Sequence, residues 1–487
     1  MSRLFRLLNT SFVRLYGDIA YISNQLTRHD RVYDAAGIDF LGAIHRTPRT
    51  VDSAVAEIAG QFTDCDISTL HSDFEEFLSD LESDMFIVTG STIEELNRKE
   101  PHFRYGSEIV NYKEVTNSFL NPNAEPWLKS TQKLLQEHCA TNPTLIDYQI
   151  ELTSKCNEHC QHCYLPPDRE KTTLNTELVL RELDDFRDMG GISITFSGGE
   201  PMLHPDLPSF LRRARKNDFA ITILSNATLL TDALIDVISE VNISLMQVSI
   251  YSMNAEEHDH ITGMPGSLSK SLAAIDKLIA ANIPLQISCP VMLTNYQSYP
   301  SVLKWANDNS LKAYTDYILI ARSDQSIDNL NERLGEKELR PLISAIVEHD
   351  REYDNVINDH NAPDTGLRDA TAQVCGVGRS TLCLSSSGRY YPCSSWRGME
   401  VGNALTTRLH DVWKHSKKLE ELRSITWASF PDCLTCQDFD YCAMCMARNF
   451  NEGNGDMYKI NQHFCKAAKL NKEIVAQHGG MRLPTTS

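Results

Sequence analysis

The first hundred residues set short apolar runs before longer helical spacings. Phe12–Leu15 and Ile19–Ser23 flank Gly17 and Asp18 as a hairpin, and Arg31–Tyr33 adds a third short strand. Ala36–His45 carries Ile38, Leu41 and Ile44 at helical spacing, and Thr50 or Asp52 caps a second helix with Val55, Ile58 and Phe62. A longer pattern from Ser68 puts Leu70, Phe74, Phe77, Leu78 and Leu81 on one face and ends near Met85; Phe86–Val88 is a closing strand. These elements predict a small winged-helix-like domain over residues 1–97.

Residues 98–143 are polar and uneven, a bridging segment with one helix over Trp127–His138. From Thr144 the texture changes. Strand candidates Ile146–Leu152, Ile192–Phe196, Ile221–Leu224, Leu245–Ile250, Leu285–Ser288 and Tyr317–Ile320 alternate with helical patterns at Thr176–Met189, Pro208–Lys216, Thr231–Val241 and Leu268–Ala281. Such alternation predicts an α/β fold, a parallel sheet with right-handed crossovers, and about six repeats make a partial (β/α)6 barrel over residues 144–350. Glu336–His349 is a further helix, and residues 351–487 form a loop-rich, cysteine-rich domain.

The length of 487 residues agrees with about three domains at roughly 150 residues each. Charge removes one class of partner: the formal net charge of −19 argues against nucleic acid. Winged helices often bind DNA, but the helix from Ser68 presents Asp73, Glu75, Glu76, Asp80, Glu82 and Asp84, which would repel phosphates. Met1–Leu8 lacks the apolar core of a secretory signal, and no stretch approaches the roughly 18 apolar residues of a membrane span. A cytoplasmic protein with no membrane partner is expected. In that reducing compartment the 14 cysteines are more often ligands than disulfides, and their clustering agrees: eight crowd between Cys375 and Cys465.

The run KCNEHCQHCYLP follows the first barrel strand and spaces Cys156, Cys160 and Cys163 as C-x-x-x-C-x-x-C. Three thiolates leave one metal position open, although His159 or His162 could close a zinc site instead. The second strand runs into Ser197–Pro201, SGGEP, whose glycines permit close backbone approach and whose Glu200 can accept hydrogen bonds from an ammonium. Together the two motifs resemble the radical S-adenosylmethionine (SAM) superfamily over Thr144–Glu348. The resemblance implies a [4Fe-4S] cluster on Cys156, Cys160 and Cys163 whose fourth iron takes SAM. It also implies SAM contacts from His162 near the adenine, Gly198, Gly199 and Glu200 at the methionine ammonium, and Ser225, Asn226 and Ser249 at the ribose or carboxylate. Two positions depart from the family pattern: Ala227 stands where many relatives have glycine, and Thr262 where some have arginine. Ser225 and Ser249 also read as strand-end residues with local backbone bonds.

The C-terminal cysteines are Cys375, Cys383, Cys393, Cys433, Cys436, Cys442, Cys445 and Cys465, two sets of four. Zinc knuckles use similar C-x-x-C pairs. Beside a radical SAM core, however, the G-x-x-x-x-C ending at Cys393 and the run CLTCQDFDYCAMC resemble the SPASM extension over Ala372–Ile474. That resemblance implies one auxiliary [4Fe-4S] cluster on Cys375, Cys383, Cys393 and Cys445 and a second on Cys433, Cys436, Cys442 and Cys465, three clusters in all. The two residues Ala443 and Met444 replace the usual three before Cys445, and Cys383 lies outside the minimal pattern. Cys65 and Cys139 read as packing or surface residues, while Cys289 ends a barrel strand and is unassigned.

The element order of the N-terminal unit and its segment RVYDAAGIDFLGAI resemble the precursor-peptide recognition element of enzymes that modify ribosomally made peptides. There a leader peptide adds a strand beside the third strand and packs on the last helix, which implies contacts at Arg31, Val32, Tyr33, Leu70 and Phe74. CAMCMARNFNEGNGDM and YSMNAEEHDHITGMPGS look like peptide maturases that form intramolecular cross-links. The resemblance implies a 5′-deoxyadenosyl radical, a precursor peptide of leader plus core as substrate, and a flavodoxin or ferredoxin-type electron donor. Cys thioether formation is the expected product, ahead of carbon-carbon cyclisation or sulfatase-maturing oxidation of a Cys or Ser. A zinc-stiffened peptide chaperone is the non-enzymatic alternative. Arg322 and Asp324, near a late strand end, are cavity candidates.

Overall fold

The structure, a computed structural model, describes residues 3–27, 29–62, 66–101, 128–349 and 369–479. In the N-terminal unit the chain runs β1 (Leu4–Leu7), β2 (Ser11–Leu15), β3 (Ala20–Asn24), β4 (His29–Tyr33), α1 (Ala36–Gly42), β5 (Arg49–Thr50), α2 (Val51–Ala59), α3 (Ile67–Ser83) and β6 (Ile87–Gly90). Two antiparallel three-stranded sheets result, β5–β1–β6 and β2–β3–β4. Gly17 turns the expected hairpin at φ +92°, a conformation L side chains rarely adopt. Thr50 caps α2 by accepting the Ser53 N–H at 3.1 Å, and Asp66, ahead of the expected Ser68, caps α3. Phe62 lies beyond α2 and is half-exposed instead of sharing its apolar face.

Phe5, Phe40, Phe74, Leu78, Leu81 and Phe86 form a buried core of the unit's own. β1, which the pattern reading passed over, supplies Phe5 and Leu7 to it by strand alternation. α4 (Ile93–Lys99) follows β6 at the end of the N-terminal unit, and α5 (Leu128–Thr141) is the described helix of the bridging segment. Trp127, expected to start that helix, lies outside the described residues, as does Cys65.

The barrel follows as β7 (Asp147–Thr153), α6 (Thr176–Asp188), β8 (Ser193–Gly198), α7 (Leu207–Lys216), β9 (Ala220–Ser225), α8 (Asp232–Val241), β10 (Leu245–Ser249), α9 (Ala255–Thr262), α10 (Ser267–Ala280), β11 (Leu285–Ser288), α11 (Tyr299–Asp308), β12 (Lys312–Tyr314) and α12 (Glu336–His349). β7 to β12 are parallel and lie in sequence order, as the α/β reading requires. Tyr148, Ile150, Ile194, Phe196, Ile221 and Met246 are buried outward in one core with the helices. The opposite face is polar: Gln149 stands beside Thr195, Glu151 beside Ser197, Gln247 beside Gln286 and Ser249 beside Ser288. A barrel interior of this kind suits a polar ligand better than a packed core.

The sixth strand is Lys312–Tyr314, not the more apolar Tyr317–Ile320. The latter run cannot join the ladder, because side chains take its carbonyls: Arg333 Nε donates to Leu319 O at 3.0 Å and Asn329 Nδ2 to Ile320 O at 2.8 Å.

β13 (Thr381–Leu384) adds to the open edge of the barrel in parallel with β7 and continues antiparallel into β14 (Arg389–Tyr391) and β15 (Gly402–Asn403). Leu409, Trp413, Phe464 and Ile474 extend the barrel's apolar core into this C-terminal domain. The N-terminal unit is fixed to the opposite end. Tyr16 donates to Gly190 O (2.7 Å), Arg14 to Gly191 O (2.9 Å) and to Asn217 and Asp218 carbonyls, and Arg46 pairs with Asp218 (2.8 Å). These turns precede β8 and β9.

Candidate functional site: a cysteine loop at the barrel top

The end of β7 turns into the first cysteine loop. Ser154 fixes the turn, donating its hydroxyl to Glu170 O (2.8 Å) and its N–H to Thr172 O (2.9 Å). The loop is then tied to the end of α9, where His159 N–H reaches Thr262 O (2.7 Å) and Gln161 N–H reaches Ile261 O (3.0 Å). Thr262, at the family's arginine position, turns its hydroxyl onto Ser267 (2.7 Å) and so acts as loop scaffold. Arg322 closes the far side: it donates to Cys163 O (2.7 Å) and pairs with Asp328 (2.9 Å). Asp324 lies in an exposed turn, accepting from Ser326.

Cys156, Cys160 and Cys163 converge closely enough that a charge on Cys163 helps to raise the pKa of both Cys156 and Cys160. Burial pushes Cys156 up to about 11 and Cys160 further, with the nearby Glu158 adding to both. Burial also raises Glu158 to about 7, while its Oε2 accepts from Cys160 Sγ at 3.4 Å. Tyr251 was not singled out from sequence, yet its hydroxyl lies 3.9 Å from Cys160 Sγ and its ring 4.7 Å from that of His162. His162 is pushed down to about 4 by burial and by Arg322, and its Nδ1 is a buried polar atom with no hydrogen-bond partner. Ser249 ends β10 and hydrogen-bonds the Tyr251 side chain.

β8 delivers the glycine pair onto this loop. Gly199 N–H donates to Thr153 O (2.7 Å) and Glu200 N–H to Lys155 O (2.9 Å). A Cβ on Gly198 would fall onto Thr153 O, and one on Gly199 onto Lys155 O, so both positions exclude any side chain. Glu200 is wholly buried, which raises its pKa; its carboxylate accepts from Ser225 Oγ (2.8 Å), Asn226 N–H (2.9 Å) and Met202 N–H (3.0 Å). Asn226 in turn donates to Asn157 Oδ1 (3.1 Å) in the cysteine loop. Thus one network joins every sequence-predicted SAM contact except His162 and Ser249, which meet at Tyr251.

Ala227, buried at φ +59°, holds the left-handed conformation that glycine adopts freely. Ala227→Gly is therefore expected to raise stability by about 1 kcal/mol, measured by thermal denaturation.

The C-terminal thiols separate into two groups. Cys445 lies close enough to help raise the pKa of Cys375 and Cys393, and Cys393 reaches Cys383, whereas Cys433, Cys436, Cys442 and Cys465 interact among themselves. Burial pushes Cys375 up to about 11, Cys393 to about 12 and Cys442 to about 11. Backbone N–H groups two residues on aim at sulfur in five of the loops: Glu158 to Cys156 and Asp438 to Cys436, each 3.4 Å, with Val377, Ser395 and Met444 serving Cys375, Cys393 and Cys442. Such donors favour thiolate and fit iron-sulfur ligation. Among the described residues no three His, Cys, Asp or Glu groups could share a single metal ion, and every described cysteine is a free thiol.

A family model of the radical SAM superfamily matches residues 150–306, and one of the SPASM iron-sulfur cluster-binding domain matches residues 375–445. The chain is a radical SAM enzyme of the SPASM type. The family brings SAM with one [4Fe-4S] cluster to the barrel and further iron-sulfur binding to the C-terminal domain. Similar proteins include a PqqA peptide cyclase of Granulibacter bethesdensis, 27% identical across 59% of this chain and 78% of the relative. An AdoMet-dependent heme synthase of Methanosarcina barkeri is 26% identical across 66% of this chain and 96% of the relative. Streptococcus suis SuiB bound to its precursor peptide SuiA shares the fold, with TM-score 0.62 at 15% identity over 93% of this chain and 98% of SuiB.

Among the expected leader contacts, Arg31 pairs with Asp84 of the α3 end (2.6 Å) and Tyr33 meets Phe77 edge-on (5.1 Å), so β4 and α3 lie side by side. β4 is the last strand of its sheet. Val32 points to the other face, toward Phe12, Tyr21 and Leu135. Leu70 is partly buried against the unit's core. Phe74 corrects the expectation: it is 0% exposed, wedged between Phe5 and Phe40, so it cannot touch a peptide, and Phe77 three residues on takes its place. Cys289 is wholly buried with Sγ donating to Tyr251 O (3.6 Å), and Cys139 is likewise a packed thiol.

Proposed function

We propose that this enzyme is a peptide maturase, which binds the leader of a ribosomally synthesised precursor at its N-terminal unit and cross-links the core, forming Cys thioethers. The carrying observation is the edge strand β4 beside α3, on a unit bolted to the barrel by Arg14, Tyr16 and Arg46, which offers a place for an added peptide strand. The SuiB fold covers this unit as well as the barrel.

SAM on a [4Fe-4S] cluster supplies radical chemistry when bound. Cys156, Cys160 and Cys163 hold that cluster, while Gly198, Gly199, Glu200, Ser225, Asn226, Ser249 and His162 position SAM. Cys375, Cys383, Cys393 and Cys445 hold one auxiliary cluster, and Cys433, Cys436, Cys442 and Cys465 the other. The polar inner face of β7 to β11 offers hydrogen bonds to a peptide backbone and shields it from water. A flavodoxin or ferredoxin-type protein of the cytoplasm donates the electrons. No described helix is long and apolar enough to cross a membrane.

A second reading, carbon-carbon cyclisation, is favoured by relatives named peptide cyclases. One experiment separates the two. Anaerobic incubation with a cysteine-containing precursor peptide, SAM and reductant should remove two hydrogens per link and consume cysteine thiols available to alkylation. The same mass loss with all thiols still alkylated selects the carbon-carbon bond, and an unchanged mass rejects peptide cross-linking. At this edge, Tyr33→Ala with Phe77→Ala should weaken leader binding by about 2 kcal/mol, read by fluorescence polarisation.

A further inference from the structure

One buried polar chain crosses between the two cysteine regions along the inner face of the barrel. Tyr164 directly follows Cys163, and its hydroxyl donates to Glu151 Oε1 at 3.0 Å. Glu151, 2% exposed on β7, forms an ion pair through its other oxygen with Arg397 of the C-terminal domain. The Arg397 guanidinium lies 4.8 Å over the Tyr391 ring, and Tyr391 stands directly opposite Cys383 across β13 and β14. Cys383 also faces Gln149, two residues before Glu151 on the same side of β7. Strand register and ring contact therefore fix a guanidinium beside the thiol of Cys383.

We propose that Arg397, held in place by Glu151 and Tyr391, is a positioning residue that sets the charge environment of the first auxiliary cluster and makes that cluster easier to reduce. The proposal rests on the reading that Cys375, Cys383, Cys393 and Cys445 ligate one cluster. The physical ground is simple. A reduced cluster carries one more negative charge, and a cation fixed nearby in a medium of low dielectric lowers the cost of that charge. Arginine suits the task because it stays protonated and its planar group can stack on Tyr391 while pairing with a carboxylate. Glu151 has the opposite sign and works against the cation, so the two residues have separable effects. Lysine at position 397 keeps the charge but not the planar stack.

The test is an anaerobic redox titration of the holoenzyme followed by electron paramagnetic resonance, with added SAM marking the signal of the open-iron cluster. Arg397→Met should make one auxiliary cluster at least tenfold harder to reduce, a downward shift of 59 mV or more for a one-electron couple. Glu151→Gln should shift the same signal upward, and Arg397→Lys should stay nearer the parent than Arg397→Met. A merely structural role predicts no such opposition of sign. If the wild-type signal is present and neither charge change moves it, or both move it the same way, the proposal falls while the ligand assignment stands. If wild-type enzyme lacks a second auxiliary signal, the ligand assignment fails and the proposal with it. Loss of cluster from Arg397→Met would leave the Glu151→Gln and Arg397→Lys pair to decide the sign.

Discussion

Replacing Cys156, Cys160 and Cys163 together by alanine abolishes SAM cleavage while about eight of about twelve irons stay bound, counting four per cluster. The expectation follows from how the thiols are distributed. The triplet lies in a loop between β7 and α6, held by Ser154, Thr262, Ile261 and Arg322, and none of these bonds involves the C-terminal cysteines. The two C-terminal sets sit outside that loop, Cys383 on β13 and the others in the C-terminal domain, and touch the barrel through β13 and the shared core. Loss of the triplet therefore leaves the auxiliary sites folded. Iron analysis after anaerobic reconstitution, with 5′-deoxyadenosine measured by chromatography, checks both halves. Retention of all the iron, or loss of nearly all of it, would contradict the separation.

Gly199→Ala should reduce SAM cleavage at least a hundredfold. The added methyl group has nowhere to go: it meets the Lys155 carbonyl, which is already held by the Glu200 N–H at 2.9 Å, and Gly199's own N–H is held by Thr153. Both partners are backbone, so relief requires the GGE turn to move away from the cysteine loop. Glu200 would move with it, dragging Ser225 and Asn226 out of register. A displacement of about 1 Å in a positioning group is sufficient for a loss of that size. Measured SAM affinity should fall with turnover, and near-parental cleavage would mean that the turn yields more easily than its bonds suggest.

The parallel sheet was legible in the sequence because short apolar runs such as Ile146–Leu152 and Ile192–Phe196 alternate with helical spacings such as Thr176–Met189. Spacing alone does not divide the C-terminal cysteines: Cys445 follows Cys442 closely in sequence, yet it lies near Cys375 and Cys393, as the family pattern implies. Where the structure departs, a long-range contact outweighs a local pattern. Tyr317–Ile320 has the composition of a strand, but Arg333 and Asn329 claim its carbonyls, and the plainer Lys312–Tyr314 pairs instead. Phe74 and Phe77 belong to one helical stripe, and only the aromatic partners Phe5 and Phe40 decide which is core and which lies against β4. Glu151, Tyr164 and Arg397 left no local signal at all, because Arg397 is 246 positions from its carboxylate.

The attachment of the N-terminal unit also makes the fold a ruler. Its anchors grip the turns that enter β8 and β9, whereas the cysteine loop and the GGE turn lie where β7 and β8 leave the barrel. Strands of six and seven residues separate the two rims, a height of about 20 Å. Under the peptide reading, a substrate gripped at β4 must span that height before its first reactive residue arrives, which takes at least about six extended residues. Precursors with a shorter interval between leader and core would dock and remain unmodified.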